Sequence, residues 1–377
     1  MIYLDNPATS MKKPQIVYDM MYRNTVNCSV NAGRGGHFAS LKGAEGIIKT
    51  QETLAEFFNI KTPERIAFTQ NATYALNMAI SGFLTPRDHV IITSMEHNSV
   101  LRPVHRLCGY TIVKADKQGV INPADIERAI LKNTKLIITT HASNVCGTIM
   151  PVYEIGKICK RYGIPYLLDT AQTAGIIPID VEEMNISMLA FSGHKGLLGP
   201  LGTGGLYVRE GIDLYPIIVG GTGTESANRN QPQNMPEMLH SGTLNTPAIM
   251  TLADSVGYIK RLGVENIGMH EKSLATYLID GLLNIKGVTV YGLTEGNRNG
   301  TVAFNINNAD SQEISDILNT DFRIATRGGY HCSYIAHKTL GTQDTGAVRA
   351  GFGEFSRKDE ADALLFAVSK IAKKISA

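Results

Sequence analysis

Short runs of β-branched and aliphatic residues alternate with stretches of helical periodicity along the first two thirds of the chain. The runs 65–69 (RIAFT), 89–94 (HVIITS), 111–115 (TIVKA), 135–141 (KLIITTH), 165–169 (PYLLD), 187–192 (SMLAFS) and 203–208 (TGGLYV) all have the length and composition of strands. Amphipathic helices lie between them. In 43–58, Ala44, Ile47, Ile48, Leu54, Ala55 and Phe58 make an apolar stripe interrupted only by Gln51. Strand, helix, strand at this repeat predicts an α/β fold with a doubly wound, mostly parallel sheet. From about residue 255 the pattern changes to a long helix, then strands near 288–291, 301–306 and 323–326, then a final helix. Ser356 and Asp359 suit a capping box for that last helix, and Ala361, Leu364, Leu365, Val368 and Ile371 form its apolar face. The second half therefore predicts a smaller α+β domain. The expected division is 15–254 for the large domain and 1–14 with 255–377 for the small one. The segment 292–300 (GLTEGNRNG) reads as a surface turn.

Composition narrows the function classes. A chain of 377 residues with 43% apolar and 19% charged residues can bury a substantial core. A formal charge of +2, with no Lys/Arg block, argues against nucleic acid and for a small-molecule partner. The start, MIYLDNPATSMKK, lacks the apolar stretch of a leader, and no run reaches membrane-spanning length, so a cytoplasmic protein is expected. The five cysteines, Cys28, Cys108, Cys146, Cys159 and Cys332, are scattered and odd in number, which favours reduced thiols over a disulfide framework or a zinc ribbon. Cys108 and Cys159 fall in helix-like patterns and read as packing residues, while Cys28 and Cys146, near motifs, read as packing or loop residues.

In doubly wound sheets ligands sit beyond the carboxyl ends of the strands, and the polar clusters TQNAT, MEHNS, HASN, DTAQ and SGHK fall there. The loop TQNATYALNM turns from strand to helix, so the amides of Asn71, Ala72 and Thr73, with the Thr73 hydroxyl, either receive an anion or only cap the helix. Asp169 ends an apolar strand; it is either an N-cap or a buried carboxylate able to keep a pyridine nitrogen protonated. Lys195, in FSGHKGLLGPLGTGGLYV, lacks the residue order of a phosphate-binding Walker loop. A lysine at a strand end in a crevice can instead form a Schiff base if its amine is held partly deprotonated. Cys332, in RGGYHCSYIAHKTLGT, is by itself as readily a small buried hydrophobe as a reactive sulfur.

Taken together, YLDNPATS, HASNVCGTIMPV, LLDTAQTAG, FSGHKGLLGPLGTGGLYV, SGTLNTPAI, RGGYHC and VRAGFGEFS resemble the class V aminotransferase superfamily. Within it they resemble the cysteine desulfurase and selenocysteine lyase family, in order and from about residue 2 to 370. The resemblance implies a homodimeric pyridoxal phosphate enzyme of fold type I, with a large seven-stranded sheet domain, a small domain carrying the cysteine loop, and sites at the subunit interface. It implies that Lys195 binds the cofactor covalently and moves protons, that Asp169 meets the ring nitrogen, Gln172 the ring hydroxyl, and that His97 stacks on the ring. Asn144 would lie near that hydroxyl and the substrate. Asn71, Ala72, Thr73, Ser192 and His194 would hold the phosphate, with Thr222 offered by the other subunit. Arg349 would grip the substrate carboxylate, with Arg327 of the R-x-G-x-H-C motif as a second substrate contact. Cys332 would accept the sulfur of L-cysteine as a persulfide, with its thiol pKa lowered by His331, His97 or a cation, and pass it to an acceptor protein. The same residues would serve a selenocysteine lyase, another lyase or aminotransferase of the superfamily, or a sulfur-transfer scaffold. Two positions depart from the pattern: His240 stands where glutamate is expected, and Pro7 where alanine is usual. Arg34 and His37, in NAGRGGH, match a loop near the active site or simply a polar turn.

Overall fold

In the computed structural model, residues 1–307 and 309–376 are described; Asn308 and Ala377, both within the expected small domain, lie outside them. The chain opens on strand β1 (Ile2–Tyr3) and then forms β2 (Ile66–Thr69), β3 (His89–Thr93), β4 (Gly109–Val113), β5 (Thr134–Thr140), β6 (Tyr166–Asp169), β7 (Met188–Ser192) and β8 (Gly204–Val208). The last seven make one sheet in the order β2-β8-β7-β6-β5-β3-β4. Its strands are parallel except β8, which runs antiparallel to both neighbours. β3, β6 and β7 are buried along their whole length, which is why they read as continuous apolar runs without alternation.

Farther on, β9 (Val288–Tyr291), β10 (Thr301–Ile306) and a strand Val348–Gly351 form a three-stranded antiparallel sheet. Between them β11 (Ile324–Ala325) pairs in parallel with β1, so the first residues of the chain join its last third; Val348–Gly351 is β12. The final helix, Lys358–Ser376, buries Ala361, Leu364, Val368 and Ile371 against this sheet, as its periodicity predicts.

Several sequence expectations need correction. The long helix after 255 is two helices, Thr246–Leu262 and Val264–Leu283, broken at Gly263 with a φ of 86° that only glycine adopts without strain. The helix expected at 43–58 runs over Phe38–Phe58, and Ile48 faces solvent. Gln51 belongs to its buried face instead, donating Nε2 to the Ile66 carbonyl at 2.8 Å. The capping box is displaced by one residue, because the helix begins at Lys358: Glu360 Oε2 accepts the Arg357 N–H at 3.0 Å, whereas Ser356 Oγ accepts from Gly353 N and Asp359 pairs with Arg357. Finally, 292–300 is a surface turn only in part. Arg298 and Asn299 are 2% and 4% exposed. Arg298 donates Nη1 to the Leu293 carbonyl and Nη2 to that of Thr301, while Asn299 Nδ2 reaches the Gln172 carbonyl.

His240 acquires a clear task at the sheet edge. β2 is the edge strand, and the buried Phe68 N–H donates to His240 Nε2 at 2.7 Å while the two rings stack 6.1 Å apart. Burial lowers the His240 pKa to about 4, which keeps Nε2 free to accept. Replacing His240 with leucine strands that N–H, and urea denaturation should show a loss of about 1–3 kcal/mol. His240→Gln, which retains an acceptor, should lose less.

Candidate active site

The carboxyl ends of β2, β3, β5, β6 and β7 converge on a cavity of about 220 Å³. Asn71, Ala72, Thr73, His97, Asn144, Asp169, Gln172, Ser192, His194 and Lys195 all line it, joined by Leu76, Ser99, Thr140 and Ala171. Ten residues expected from sequence to form a site are thereby brought to one place.

Each is positioned by its element. Asn71 caps the helix Ala72–Phe83, its Oδ1 accepting from Tyr74 N at 3.2 Å, so this helix N-terminus opens on the cavity. The Ala72 N–H donates to Ser192 Oγ at 3.0 Å, and the Thr73 and Ser99 hydroxyls lie 2.8 Å apart. His97 caps the next helix, Asn98–Leu107, its Nδ1 accepting from Ser99 N at 3.0 Å. That bond leaves the proton of the neutral ring on Nε2. Burial, reinforced by the positive charges of Lys195, Arg327 and Arg349, holds the His97 pKa at about 4.

Asp169 ends β6, buried, with Oδ1 accepting from Ala171 N at 2.9 Å. Burial raises its pKa, opposed by that N–H and by Lys195. Lys195 follows β7 in a turn closed by Gly193 N to Thr203 O and Gly199 N to Gly193 O; any side chain at Gly193 would collide with Thr203 Oγ1. Enclosure in protein lowers the Lys195 pKa to about 8, against the pull of Asp169. The amine is thus partly neutral near neutral pH, as nucleophilic or basic work requires. Gln172 donates Nε2 to the Pro7 carbonyl at 3.0 Å. His194 Nδ1 lies 3.0 Å from Thr9 Oγ1.

Other expected residues lie at the margins. Asn144 has committed its amide to the cysteine loop: Nδ2 donates to His331 O at 2.7 Å, and Oδ1 accepts from Ser333 Oγ at 2.8 Å. Arg349, on β12 and 2% exposed, donates Nη1 to Asn144 O at 2.9 Å and pairs Nη2 with Asp5 Oδ1 at 2.6 Å, leaving Nε buried without a partner among the described residues. Arg327 is exposed, but its backbone pairs with Arg349 in both directions. Cys332 is exposed and outside the cavity wall, while its carbonyl accepts from Asn98 N at 2.7 Å, one residue beyond His97. Thr222 is brought not to this cavity but to another of about 320 Å³, together with Arg34, Gln51 and His240. Arg34 donates Nη2 to Gly242 O at 2.9 Å, and His37 caps the helix Phe38–Phe58. Cys28, Cys146 and Cys159 are buried, and burial pushes the Cys159 thiol up to about 12.

One electrostatic expectation is overturned. Burial holds His331 far below the usual histidine range and His97 at about 4, so both rings are neutral and neither is the cation expected beside Cys332. Sequence reasoning also missed residues that lie behind the wall and hold it in place. Asp5 holds Arg349. Ser10 Oγ shares its one proton between the His194 and Lys195 carbonyls, at 3.0 and 2.9 Å, and Lys13 Nζ reaches His194 O at 2.9 Å. Glu96, fully enclosed beside Asp169, accepts from Thr93 Oγ1 and Thr140 N through Oε1; burial raises its pKa to about 8, so it stays neutral and spares Asp169 a second negative charge. Its place next to His97 in MEHNS is the one sequence signal for it.

These shifts give the protein a pH optimum for stability. His97, His141, His194, His240 and His337 sit at about 4, and His331 is also well below its usual value. Unfolded, each titrates near 6.5. Between those values the unfolded chain binds more protons, so stability is lost as pH falls through that window. Glu96 and Glu271 have the opposite sign, being raised when folded, so the contribution of each is lost as pH rises, that of Glu96 by about pH 8. Urea midpoints measured across this range should peak near pH 6.5, and a midpoint that rises steadily toward pH 5 would contradict the assignment.

Among the described residues, no helix is long and apolar enough to cross a membrane. Comparison with known proteins agrees with the geometry. A probable cysteine desulfurase of Methanothermobacter thermautotrophicus is 34% identical over 98% of this chain and 94% of its own. Another, from Halalkalibacterium halodurans, is 32% identical over 98% of this chain and 93% of its own. The solved structure of a cysteine desulfurase from Thermococcus onnurineus superposes with a TM-score of 0.93 at 32% identity, covering 99% of this chain and 95% of that one. The shared fold is the pyridoxal phosphate fold type I expected from sequence. The aminotransferase class-V description matches residues 2–364, nearly the whole length, and with a lysine, a carboxylate and a helix N-terminus meeting in one cavity the chain belongs to that family.

Proposed function

We propose that the protein is a pyridoxal 5′-phosphate-dependent cysteine desulfurase, converting L-cysteine to L-alanine and leaving the sulfur as a persulfide on Cys332. The observation that carries this reading is the cavity that joins a lysine amine with a pKa of about 8, a buried carboxylate and a helix N-terminus, beside a pinned, exposed cysteine. The donor set fits the cofactor. Asn71, Ala72, Thr73, Ser192 and His194 would hold its phosphate, Asp169 its ring nitrogen, Gln172 its ring hydroxyl and His97 its face, with Lys195 as the covalent anchor. When bound, pyridoxal phosphate withdraws electrons from the substrate α-carbon.

The protein supplies the rest. Lys195, partly neutral, accepts the substrate α-proton and returns protons to carbon. Arg349 Nε, buried without a partner, is the donor that a substrate carboxylate would satisfy, with Arg327 adding positive charge at the rim. Cys332, as thiolate, attacks the substrate sulfur. A sulfur–sulfur bond forms as the carbon–sulfur bond breaks, and the thiol proton of the substrate ends on the methyl group of alanine.

The working unit we propose is a homodimer. Thr222 stands away from its own cavity, and Tyr22, Val26, Phe38, Tyr215 and Val219 expose apolar surface for a second copy to cover. We place it in the cytoplasm, on five unpaired cysteines, with an acceptor protein to take the persulfide. We likewise divide the chain as 15–254 and 1–14 with 255–377, the helix Thr246–Leu262 carrying it across; the joint apolar cluster of Leu4 with residues of the last third supports this. The test is mass spectrometry of the holoenzyme after addition of L-cysteine: one added sulfur atom on Cys332 is expected, and persulfide on any other cysteine overturns the assignment.

A further inference from the structure

His337 is wholly buried in the short helix Tyr334–Leu340 and lies outside the cavity around Lys195. Its neighbours fix where its proton sits. His331 Nε2 is 3.0 Å from the Arg327 carbonyl, which can only accept, so Nε2 carries the proton of that neutral ring. His331 Nδ1 is therefore bare. It faces His337 Nε2 at 3.3 Å, which must be the donor, and this leaves His337 Nδ1 bare to accept from Thr342 Oγ1 at 2.7 Å. The result is a one-way chain of donation from Thr342 through His337 and His331 to Arg327 O.

That chain ends on a strained turn. His331 and Cys332 are both left-handed, with φ of 51° and 57°, a conformation that non-glycine residues keep only when their surroundings impose it. The surroundings are specific. Asn144 Nδ2 takes the His331 carbonyl, Asn98 N takes the Cys332 carbonyl, and Arg327 O accepts from Arg349 N as well as from His331. The turn that presents the thiol is thus tied to Asn144 and Arg349 on one side and to the imidazole chain on the other.

We infer that His337 is a positioning residue for Cys332, holding the His331–Cys332 turn through His331 so that the thiol meets the substrate sulfur. The inference rests on Cys332 being the sulfur acceptor, and its test separates the two. In the holoenzyme, His337→Leu should slow persulfide formation on Cys332 by about 10- to 100-fold, as small misplacements of reacting groups do. The cysteine concentration that half-saturates the absorbance change of the bound cofactor should stay unchanged. His337→Gln offers an N–H toward His331 and should restore most of the rate; Thr342→Val, which removes only the first donor, should slow it less than His337→Leu.

Hydrogen exchange of the peptide spanning 327–342 needs no turnover. Its protection should fall in His337→Leu and return in His337→Gln. A His337→Leu enzyme with wild-type rate and protection overturns the inference, as does a loss that glutamine fails to restore. If wild-type protein forms no persulfide on Cys332 while the exchange pattern holds, the functional reading fails and the imidazole chain stands as a feature of the turn.

Discussion

Lys195→Ala should lower alanine formation from L-cysteine by at least about 10³-fold, because both the covalent anchor and the proton carrier are lost together. The visible absorbance of the lysine-bound cofactor should vanish with it. The fold should survive: no hydrogen bond or ion pair of the Lys195 amine exists among the described residues, and its pKa of about 8 shows that enclosure disfavours its charge. With cofactor absent from both, thermal denaturation of the variant should therefore give a midpoint at or above that of wild type. Lys195→Arg separates charge from chemistry. Guanidinium stays protonated at all working pH values, so arginine can neither form the Schiff base nor accept a proton, and should be as inactive as alanine. Turnover by Lys195→Ala within tenfold of wild type would remove Lys195 from the mechanism.

Cys332→Ala should abolish persulfide and lower turnover of L-cysteine by about 10³-fold or more, since among the described residues Cys332 is the one exposed cysteine, and its backbone is tied to Asn98 beside His97. Cys28, Cys146 and Cys159 are buried, and a thiol pushed to about 12, as Cys159 is, holds almost no thiolate. Stability should change little, because Cys332 is exposed and its only described hydrogen bond is made by the backbone. Comparing cysteine with selenocysteine resolves the two chalcogens. Selenium leaves carbon with less help from a thiolate, so a lyase for selenocysteine would keep turning over that substrate in Cys332→Ala. Alanine release from L-cysteine at the wild-type rate would refute the persulfide step, and pyruvate in place of alanine would point to another lyase.

The sheet was legible because most of its strands are buried along their length and meet polar clusters at their carboxyl ends, so apolar runs and candidate chemistry alternated visibly. The lysine, the carboxylate and the helix N-terminus followed from that geometry. Their roles leaned on resemblance, since a lone Asp169 or Asn71 also makes a good helix cap, and Asn71 does cap its helix. Asp5 and Glu96 escaped notice for a physical reason. A carboxylate's burial depends on what packs over it, and neither the ion pair of Asp5 with Arg349 nor the enclosure of Glu96 leaves a local pattern. β12 and the helices Ser311–Phe322 and Tyr334–Leu340 were likewise missed. β12 is four residues long and reads VRAG, with an arginine inside a buried strand. It is stable there because Asp5 and the Asn144 carbonyl take two of its donors.

The pairing of β1 with β11, and of Asp5 with Arg349, has a consequence for how the enzyme is made. Asp5 and Arg349 stand 344 positions apart in the chain. The loop between them must be closed before either has its partner, and such closures come late in folding. During synthesis the segment from Tyr3 to Lys13 emerges long before Arg349, and its Asp5 has no ion-pair partner until that residue follows. The large sheet can assemble in the meantime, so a nascent chain can look folded well before it is competent. Catalytic power waits for that contact, because Arg349 is anchored only once Asp5 has met it.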